Sequence, residues 1–341
     1  MDKLLVIISG IGTGGHYFPA VVVAKEFMKY NCGVIFLVRR GFPEETIAEE
    51  YNLKTFKIAP KPYYGKSLIN KLVALVKVIE AVAKLNTIVK NGVGISFGGF
   101  GSLPLILSCI LKHRPFYLFE PNRIPGRTTK LFARRAHKIF LGMPCKIKIK
   151  GNTMITGIPV RKEFKKFDIH KTGPKTVLFL GGSQGAKKLN EWAIKLQNIL
   201  PQNYKIIIIS GRRDFEWVNK SKDARTEIIP FTTKPWEIIA RADVVISRAG
   251  ALSGYELMIM KKPILFVPFP FAIDNHQYYN AEYFAQMPNV KIALEQDLNV
   301  NLLLKVIMEL IDNEKRYKTQ DYKLVLNAEK VIVETVIKEM Q

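Results

Sequence analysis

Two apolar runs that each end in a glycine-rich turn constrain the fold of this chain more than any other feature. Residues 4–9 lead into the turn G-I-G-T-G-G-H at 10–16, and residues 176–180 lead into G-G-S-Q-G at 181–185. A helical pattern follows each turn. Backbone N–H groups at such a turn, together with the helix N-terminus, form a site for phosphate. One such turn in each half predicts paired nucleotide-type domains that face a shared cleft.

The remaining strand-like runs are continuously apolar and alternate with helical stretches. Continuous apolar runs predict strands that are buried on both faces, as in parallel sheets covered by helices. The alternation predicts the α/β class, with two doubly wound, Rossmann-like domains. The runs occupy residues 34–38, 93–97, 116–119 and 138–141 in the first half, and 205–210, 227–229, 244–247 and 264–267 in the second.

The domain boundaries follow from a stretch rich in proline and charge at residues 157–175, which is typical of a linker. We predict an N-terminal domain over 1–160 and a C-terminal domain over 161–321. A last helical segment, 322–341, is expected to cross back to the first domain.

Charge and cysteine content narrow the functional classes. Residues 1–160 hold 24 Lys and Arg against 8 Asp and Glu, which is +16 of the total formal charge of +23. This asymmetry indicates an anionic partner for the first half: nucleic acid, anionic lipid or a pyrophosphate. The three scattered cysteines, Cys32, Cys109 and Cys145, fit neither a disulfide framework nor a zinc cluster and favour a reducing cytoplasm. The first apolar run is too short for a signal peptide.

A helix predicted over residues 66–90 has an unusually wide apolar face. Its polar stripe is narrow, and Leu, Ile, Val and Ala fill most of the remaining circumference. Burial between the sheet and its neighbours explains this pattern. Contact with lipid, with lysines reaching toward head groups, explains it equally and agrees better with the basic charge. The stripe consists of Lys66, Asn70, Lys77, Glu80 and Lys84.

The first turn matches G-x-G-x-x-G, which suggests a dinucleotide site. The second strand, however, ends in Val38-Arg39-Arg40 rather than in an acidic residue. That excludes an ordinary NAD site and is compatible with NADP. His16 lies where the turn enters its helix. A capping or solvated histidine is the commoner case, but this position also suits a base that accepts a proton from a hydroxyl nucleophile.

Three further clusters follow strands of the second half. The turn at 181–185 lacks the Lys-Ser/Thr pair of a P-loop, and Ser183 suits either a helix N-cap or a diphosphate contact. Ser253 and Glu256 match the capping box S-x-x-E, and Glu256 could alternatively hold vicinal sugar hydroxyls. The last cluster is D-N-H-Q at 274–277. Because ligands of open α/β sheets bind at the carboxyl ends of strands, these clusters predict one pocket for a nucleotide sugar.

Ordered motifs over nearly the whole chain resemble those of the MurG family, in glycosyltransferase family 28. They are G-T-G-G-H at 12–16 with F-P-A at 18–20, G-G-F at 98–100, E-P-N at 120–122, T-G-I-P-V-R at 156–161, G-G-S-Q-G-A at 181–186, G-A-L at 250–252, and D-N-H-Q at 274–277 with N-A at 280–281. The resemblance implies the GT-B architecture. It also implies an inverting transfer of GlcNAc from UDP-GlcNAc to the MurNAc 4-hydroxyl of lipid I, at the cytoplasmic face of the plasma membrane.

Site residues are carried over from the matching motifs. On the donor side, the resemblance places Glu256 at the ribose, Thr232 beside the uracil, Asn122 and Gln277 at the GlcNAc hydroxyls, and Ser183, Arg161, Ala251, Leu252 and Ser253 at the diphosphate. It places Thr13, Gly14 and Gly15 across the cleft, near both the donor and the acceptor pyrophosphate. The acceptor residues are Gly98, Gly99, Phe100 and Glu120. His16 is the candidate base, and no obligatory cofactor or metal is expected.

Four positions depart from the usual family pattern. Phe119 replaces a histidine, which excludes a proton relay through that position. Phe100 replaces a tyrosine and removes a hydroxyl near the acceptor loop. Ala249 replaces a serine and Thr232 an apolar residue, and backbone groups can fill both of these roles.

The residues leave three other functions open. One is a related transferase that acts on another lipid such as diacylglycerol, which the basic first half also suits. The second is a nucleic-acid-binding protein, although the aromatic residues lie in apolar runs instead of alternating with basic ones. The third is an NADP oxidoreductase, which titration with NADPH tests.

Replacement of Ser183 by Ala is expected to lower turnover without unfolding the protein. A single donor that stabilises a developing anion is typically worth ~3 kcal/mol, and the hydroxyl would contact the diphosphate of the leaving UDP. Steady-state kinetics of S183A test the assignment, and unchanged kinetics would count against it.

Overall fold

The computed structural model describes residues 3–60, 68–166, 173–182, 185–313 and 324–341. The chain divides into two compact units. Unit 1 comprises Met1–Arg161 and Val325–Gln341, and unit 2 comprises Lys162–Leu324. Each unit is built around its own parallel sheet. This confirms the α/β class and the two parallel-sheet domains predicted from the continuous apolar runs.

Unit 1 alternates strands and helices from its N-terminus. The strands are β1 (Leu5–Ser9), β2 (Gly33–Arg39), β3 (Thr55–Ile58), β4 (Gly92–Ser96), β5 (Phe116–Glu120), β6 (Lys138–Leu141) and β7 (Thr153–Ile155). The helices are α1 (Gly14–Lys29), α2 (Pro43–Glu50), α3 (Leu68–Val89), α4 (Leu103–Leu111) and α5 (Arg127–Phe132), with a 3-10 turn at Phe100–Ser102.

The seven strands of unit 1 form one parallel sheet in the order β3-β2-β1-β4-β5-β6-β7. Strand β1 pairs with β2 on one side and β4 on the other, so that Val6 lies between Val34 and Val93. Val6, Ile7 and Ile8 are all fully buried, because helices cover both faces of the sheet. Strands β2 and β3 are added on one side of β1, and strands β4 to β7 on the other, so the strand order changes direction between β1 and β4. Ligands of such sheets bind at this point, which we call the reversal of the sheet.

Unit 2 repeats this plan. Its strands are β8 (Lys175–Leu180), β9 (Tyr204–Ile209), β10 (Thr226–Ile229), β11 (Val244–Ser247), β12 (Ile264–Phe266) and β13 (Val290–Ile292). Its helices are α6 (Glu163–Lys166), α7 (Lys187–Leu196), α8 (Phe215–Lys220), α9 (Pro235–Ala240), α10 (Ala251–Ile259), α11 (His276–Phe284) and α12 (Val300–Asp312), with 3-10 turns at Ile273–Asn275 and Glu295–Asp297.

The sheet of unit 2 is also parallel, in the order β10-β9-β8-β11-β12-β13. Its strand order changes direction between β8 and β11, which is the reversal of this sheet. Helices α7 and α12 cover one face. Their apolar residues, among them Leu189, Trp192 and Leu303, join Val177 and Ile246 of the sheet in one buried cluster. Both glycine-rich turns of the sequence therefore follow the strand beside the reversal in their own sheet.

The final helix, α13 (Ala328–Met340), belongs to unit 1 and packs on α1. Its inner residues Ile332, Val333 and Val336 are fully buried. At its rim the Tyr30 hydroxyl donates to Glu334 at 2.9 Å, and Lys138 forms an ion pair with Glu339. The helix thus fastens the C-terminus of the chain to unit 1. Residues 322 and 323 of the predicted segment lie outside the described residues.

Helix α3 carries two apolar stripes. Ala74, Val78, Ala81 and Leu85 are buried at spacings of three and four residues and pack toward α4 and the sheet. The second stripe faces outward, and its members Leu72, Leu75, Val76 and Ile79 are exposed by 62%, 55%, 54% and 59%. Burial therefore explains only half of the wide apolar face. Lys66 of the predicted polar stripe lies outside the described residues.

Candidate functional site

The turn after β1 places His16 against a second glycine turn, the one after β4. The imidazole lies so close to both that an ideal Cβ on Gly12 would come within 2.9 Å of Nδ1, and one on Gly98 within 3.3 Å of Cδ2. Its Nδ1 is 3.3 Å from the Thr13 hydroxyl. The structure therefore brings together the predicted residues of the first turn, at 13–16, and those of the acceptor loop, at 98–100, beside the reversal of the unit 1 sheet.

The loop after β5 is organised by a buried carboxylate. Glu120 is 3% exposed, and its oxygens accept four hydrogen bonds. Oε1 accepts from the backbone N–H and the side-chain Nδ2 of Asn122 at 3.0 and 3.2 Å, and Oε2 accepts from the Gly126 N–H at 2.7 Å and the Thr129 hydroxyl at 2.8 Å. Burial raises the pKa of Glu120 above its ordinary value, although these donors favour the carboxylate.

All four bonds of Glu120 are made to its own loop and to the helix that follows, so its contact with the acceptor stays a prediction. The same loop reaches the acceptor turn by another route, because the Thr128 hydroxyl donates to the Gly99 carbonyl at 3.2 Å. Phe119, at the position of the family histidine, is 1% exposed, with its ring 5.1 Å from that of Phe97. It is a core residue.

Two arginines of unit 1 bear on the sequence predictions. Arg161, assigned to the diphosphate by resemblance, is 5% exposed, and its guanidinium lies 4.0 Å from the ring centre of Phe18 on α1. Arg39, which left NADP open, pairs with Glu44 at 2.5 Å and stacks on Phe42 at 3.9 Å. This pairing gives the Arg39 guanidinium a counter-charge within its own unit.

In unit 2 the glycine turn after β8 is packed tightly against the end of β9. Gly182 and Gly185 have φ of +75° and +74°, a conformation that favours glycine. An ideal Cβ on Gly185 would lie 2.6 Å from the Ser210 carbonyl oxygen. Helix α7 begins at Lys187 with Ala186 as its N-cap. Ser183, for which an N-cap was considered, lies outside the described residues, and its diphosphate role stays a prediction.

The start of α10 differs from the capping box that the sequence suggested. The N-cap is Gly250, and Ser253 lies within the first helical turn, where its hydroxyl donates to the Gly250 carbonyl at 3.2 Å. Ser253 therefore does not cap the helix, because the chain becomes helical three residues earlier. Glu256 is 6% exposed on the same helix, and Asn280 Nδ2 donates to the Ala249 carbonyl at 3.2 Å.

The turn after β12 is held by two side chains from outside it. Arg248 is 9% exposed, and its Nη1 donates to the carbonyls of Val267 and Pro268 at 3.2 and 3.4 Å, while Nη2 lies 2.6 Å from Glu295. Gln277, in the first turn of α11, accepts from the Phe269 N–H at 3.0 Å through Oε1. Two of the predicted clusters, after β11 and after β12, thus meet.

The loop after β10 contains Thr232, the predicted neighbour of the uracil. Its hydroxyl accepts from the Lys234 N–H at 3.0 Å, and its contact with the base stays a prediction. Beside it, the ring of Phe231 is 39% exposed and lies 5.3 Å from the Arg212 guanidinium, on the loop after β9. Within the part of the chain that the structure describes, no three His, Cys, Asp or Glu residues are grouped so that they could hold a metal ion.

The comparisons with known proteins decide the family. The glycosyltransferase family 28 N-terminal domain model matches residues 6–141, and the C-terminal domain model matches 176–336. The chain belongs to glycosyltransferase family 28. A relative from Aquifex aeolicus is 30% identical over 92% of this chain and 94% of its own length. One from a Sulfurihydrogenibium species is 30% identical over 98% and 99%. Both are called UDP-N-acetylglucosamine–N-acetylmuramyl-(pentapeptide) pyrophosphoryl-undecaprenol N-acetylglucosamine transferase.

Solved structures of this family and of others share the fold. MurG of Acinetobacter baumannii superimposes with a TM-score of 0.76 at 22% identity, covering 99% of this chain and all of its own. A UDP-GlcNAc 2-epimerase of Neisseria meningitidis bound to UDP-GlcNAc superimposes with a TM-score of 0.67 at 14% identity, over 99% and 100%. Membership of family 28 and these folds confirm that the chain is a glycosyltransferase of the GT-B architecture. They do not favour the nucleic-acid-binding or oxidoreductase alternatives.

Sequence reasoning missed several residues that organise these turns. Thr128 and Thr129 of α5 carry no motif, and Glu295 lies 47 positions from the arginine that it neutralises. Arg248 directly follows the apolar run at 244–247, but nothing in the sequence assigned it a partner. The available signal was that a charged residue directly follows a buried strand, where burial demands an ion pair or hydrogen bonds.

Proposed function

We propose that this family 28 enzyme transfers GlcNAc from UDP-GlcNAc to the MurNAc 4-hydroxyl of lipid I, with inversion at the anomeric carbon. The observation that carries the proposal is the 30% identity, over at least 92% of the chain, to relatives named for this transfer. UDP-GlcNAc is also bound by a neighbour of the same fold. Each unit supports the proposal with a glycine turn at the reversal of its own sheet, where helix N-termini and N–H groups suit a diphosphate.

Unit 2 is proposed to bind the donor. The glycine turn at 181–185 and the start of α10 at Ala251, Leu252 and Ser253 would stabilise the diphosphate, and Glu256 would accept from the ribose hydroxyls. As C1 is attacked, negative charge develops on the departing UDP. Fixed N–H dipoles stabilise such charge without reorganisation, and this electrostatic contribution is commonly the largest in an enzyme.

Unit 1 is proposed to bind the acceptor at the turns that surround His16. In the tautomer that donates from Nδ1 to the Thr13 hydroxyl, the basic nitrogen of His16 is Nε2. Nε2 would take the proton of the MurNAc 4-hydroxyl while its oxygen attacks C1 from the face opposite UDP. The new glycosidic bond forms as the C1–O bond to UDP breaks.

An acceptor assay tests this proposal directly. The purified chain is incubated with UDP-GlcNAc labelled in the sugar, and with lipid I or diacylglycerol in the same detergent. We expect label in the lipid I product and none in glycosylated diacylglycerol. Transfer to diacylglycerol alone would reverse the assignment of the acceptor, and a chain that binds UDP without any transfer would contradict it.

We further propose that unit 1 meets an anionic membrane surface through the outer face of α3. Among the residues that the structure describes, no helix has the length and hydrophobicity to cross a membrane. The exposed stripe of Leu72, Leu75, Val76 and Ile79 borders a charged cluster in which Lys77 and Lys84 both pair with Glu80, in the half of the chain with net charge +16. An exposed apolar stripe on a basic domain suits the boundary between acyl chains and anionic head groups.

Replacement of Leu75 and Ile79 together by Ser is expected to weaken binding to phosphatidylglycerol vesicles at least tenfold. Burying one such side chain is worth roughly 1.5–3 kcal/mol, and both are already exposed in the folded protein. Vesicle co-sedimentation measures the effect. Leu302→Ser, at a 39% exposed leucine on α12 of unit 2, is the matched control and should bind as wild type does. Equal binding by the double variant would eliminate α3 as the contact.

A further inference from the structure

The Gln277 side chain is held in one orientation by the backbone of the turn at 267–269. A backbone N–H can only donate, so the atom that faces the Phe269 N–H at 3.0 Å must be the amide oxygen and not the nitrogen. The NH2 group is then the other branch of the amide. Because Oε1 is engaged by the Phe269 N–H, the NH2 branch of the half-buried side chain is the one placed to donate to a ligand.

The turn at 267–269 is held in place by the side chain of Arg248. The two carbonyls before Phe269, those of Val267 and Pro268, both accept from Nη1 of Arg248. The guanidinium also lies 5.4 Å from the centre of the Phe269 ring. A planar guanidinium presents its donors from separate nitrogens at fixed angles, whereas a lysine presents all of its donors from one nitrogen on a flexible stem. Arg248 thus constrains the residues on each side of the N–H that holds Gln277.

Arg248 is itself fixed by an ion pair. Glu295 approaches Nη2 at 2.6 Å, and both side chains are largely buried, with 11% and 22% exposed. A buried guanidinium without a counter-charge would be costly, so the pair sets where Arg248 can sit. The Val267 N–H donates to the carbonyl of Ser247, directly before Arg248, at 2.8 Å. This hydrogen bond fixes the start of the same turn to the end of β11.

We propose that Arg248, held by Glu295, is a positioning residue that fixes the turn at 267–269, and that this turn holds Gln277 with its NH2 group toward the donor sugar. The inference rests on the proposed function, because that function assigns Gln277 to the GlcNAc hydroxyls. It adds the direction of the hydrogen bond: Gln277 donates and the sugar oxygen accepts. It also adds Arg248 and Glu295, which act on the sugar through Gln277 and do not contact it.

Gln277→Glu is the most direct test. Glutamate has the same shape and still accepts from the Phe269 N–H, but it replaces the NH2 donors by an oxygen. We expect kcat/KM for UDP-GlcNAc to fall 10- to 100-fold, because a donor is exchanged for a group that repels the sugar oxygen. Binding of UDP, which has no sugar, should stay within about twofold. A variant as active as wild type would show that Gln277 does not donate to the sugar.

The role of Arg248 is tested by a double-mutant cycle. Arg248→Lys keeps a positive charge, but a single nitrogen replaces the two that separately meet the turn carbonyls and Glu295, and we expect kcat/KM for UDP-GlcNAc to fall about tenfold. In a Gln277→Ala background the same substitution should cost less than threefold, because the amide that it positions is gone. An equal loss in both backgrounds would show a merely structural role and overturn the inference. Glu227→Gln, which removes the exposed ion pair with Arg241, is the control and should leave both constants unchanged.

Binding measurements keep this inference separate from the proposed transfer. The ratio of the Kd values for UDP and UDP-GlcNAc reports what the sugar contributes, and it needs no acceptor. If wild type makes no lipid product, the proposed function fails, and the Kd ratio still decides the inference. A ratio that Gln277→Glu and Arg248→Lys leave at the wild-type value overturns it, whereas a ratio lowered by both supports it.

Discussion

Replacement of His16 by Ala should lower kcat for GlcNAc transfer by about 10²–10⁴-fold, which is the range lost when a general base is removed. The imidazole lies between the turns after β1 and β4, against Gly12 and Gly98, at the reversal of the unit 1 sheet. Truncation to Ala only removes side-chain atoms and so introduces no clash with these turns. The Kd for UDP-GlcNAc should stay close to wild type, because the donor is proposed to bind unit 2.

Thr13→Val is the matched variant for this prediction. It removes the hydroxyl 3.3 Å from His16 Nδ1 and keeps the side-chain volume. Loss of a single hydrogen bond is worth about 1 kcal/mol, so kcat should fall only about fivefold. Single-turnover kinetics with lipid I and labelled UDP-GlcNAc measure both effects. If His16→Ala turns over at the wild-type rate, the base lies elsewhere.

Replacement of Gly185 by Ala should destabilise unit 2 by about 2–4 kcal/mol and weaken UDP binding at least tenfold. At φ of +74° an added side chain is strained, and its Cβ would lie 2.6 Å from the Ser210 carbonyl oxygen. That oxygen is backbone at the end of β9 and also accepts from Asn190 at 3.0 Å, so it cannot turn aside. The glycine turn must move instead, and with it the N–H groups proposed to hold the diphosphate.

Gly182→Ala distinguishes the steric clash with the Ser210 carbonyl from the backbone strain of an alanine at positive φ. Gly182 lies in the same turn at φ of +75°, but no atom of the residues that the structure describes lies within 4 Å of its ideal Cβ. It should therefore cost only the roughly 1–2 kcal/mol of a left-handed alanine. All three tryptophans, Trp192, Trp217 and Trp236, belong to unit 2, so their fluorescence follows its unfolding in urea. Equal midpoints for the two variants would disprove the clash.

The strands show where sequence prediction succeeds and where it fails. The ten strands predicted from apolar runs are all present, with ends shifted by one residue at most. The three strands that were missed, β3, β7 and β13, each lie at an edge of their sheet. An edge strand has a neighbour on one side and is partly exposed, so its residues are mixed, as in Thr55–Ile58. Periodicity detects burial, and these strands are not buried enough to show it.

The candidate site divides in a similar way. Glycine turns follow buried strands in the sequence, and the structure places them at the two sheet reversals. The roles of polar side chains were harder to predict. Ser253 matched a capping box, yet the N-cap of the helix is Gly250, three residues earlier. Glu120 accepts from Asn122, Gly126 and Thr129, and its assignment to the acceptor stays a prediction. For Ser253 the local pattern was compatible with two geometries, and the surrounding backbone selected one.

The sequence by itself determined the two parallel-sheet units and the position of their glycine turns, because burial on both faces and the need for glycine are properties of single residues and their neighbours. The tertiary structure alone decided which polar groups meet. Glu295 neutralises Arg248 from 47 residues away, and Glu334 reaches Tyr30 from 304 residues away. Such pairs depend on how strands and helices pack, and the residues next to a charged side chain in the sequence do not indicate which distant residue it will pair with.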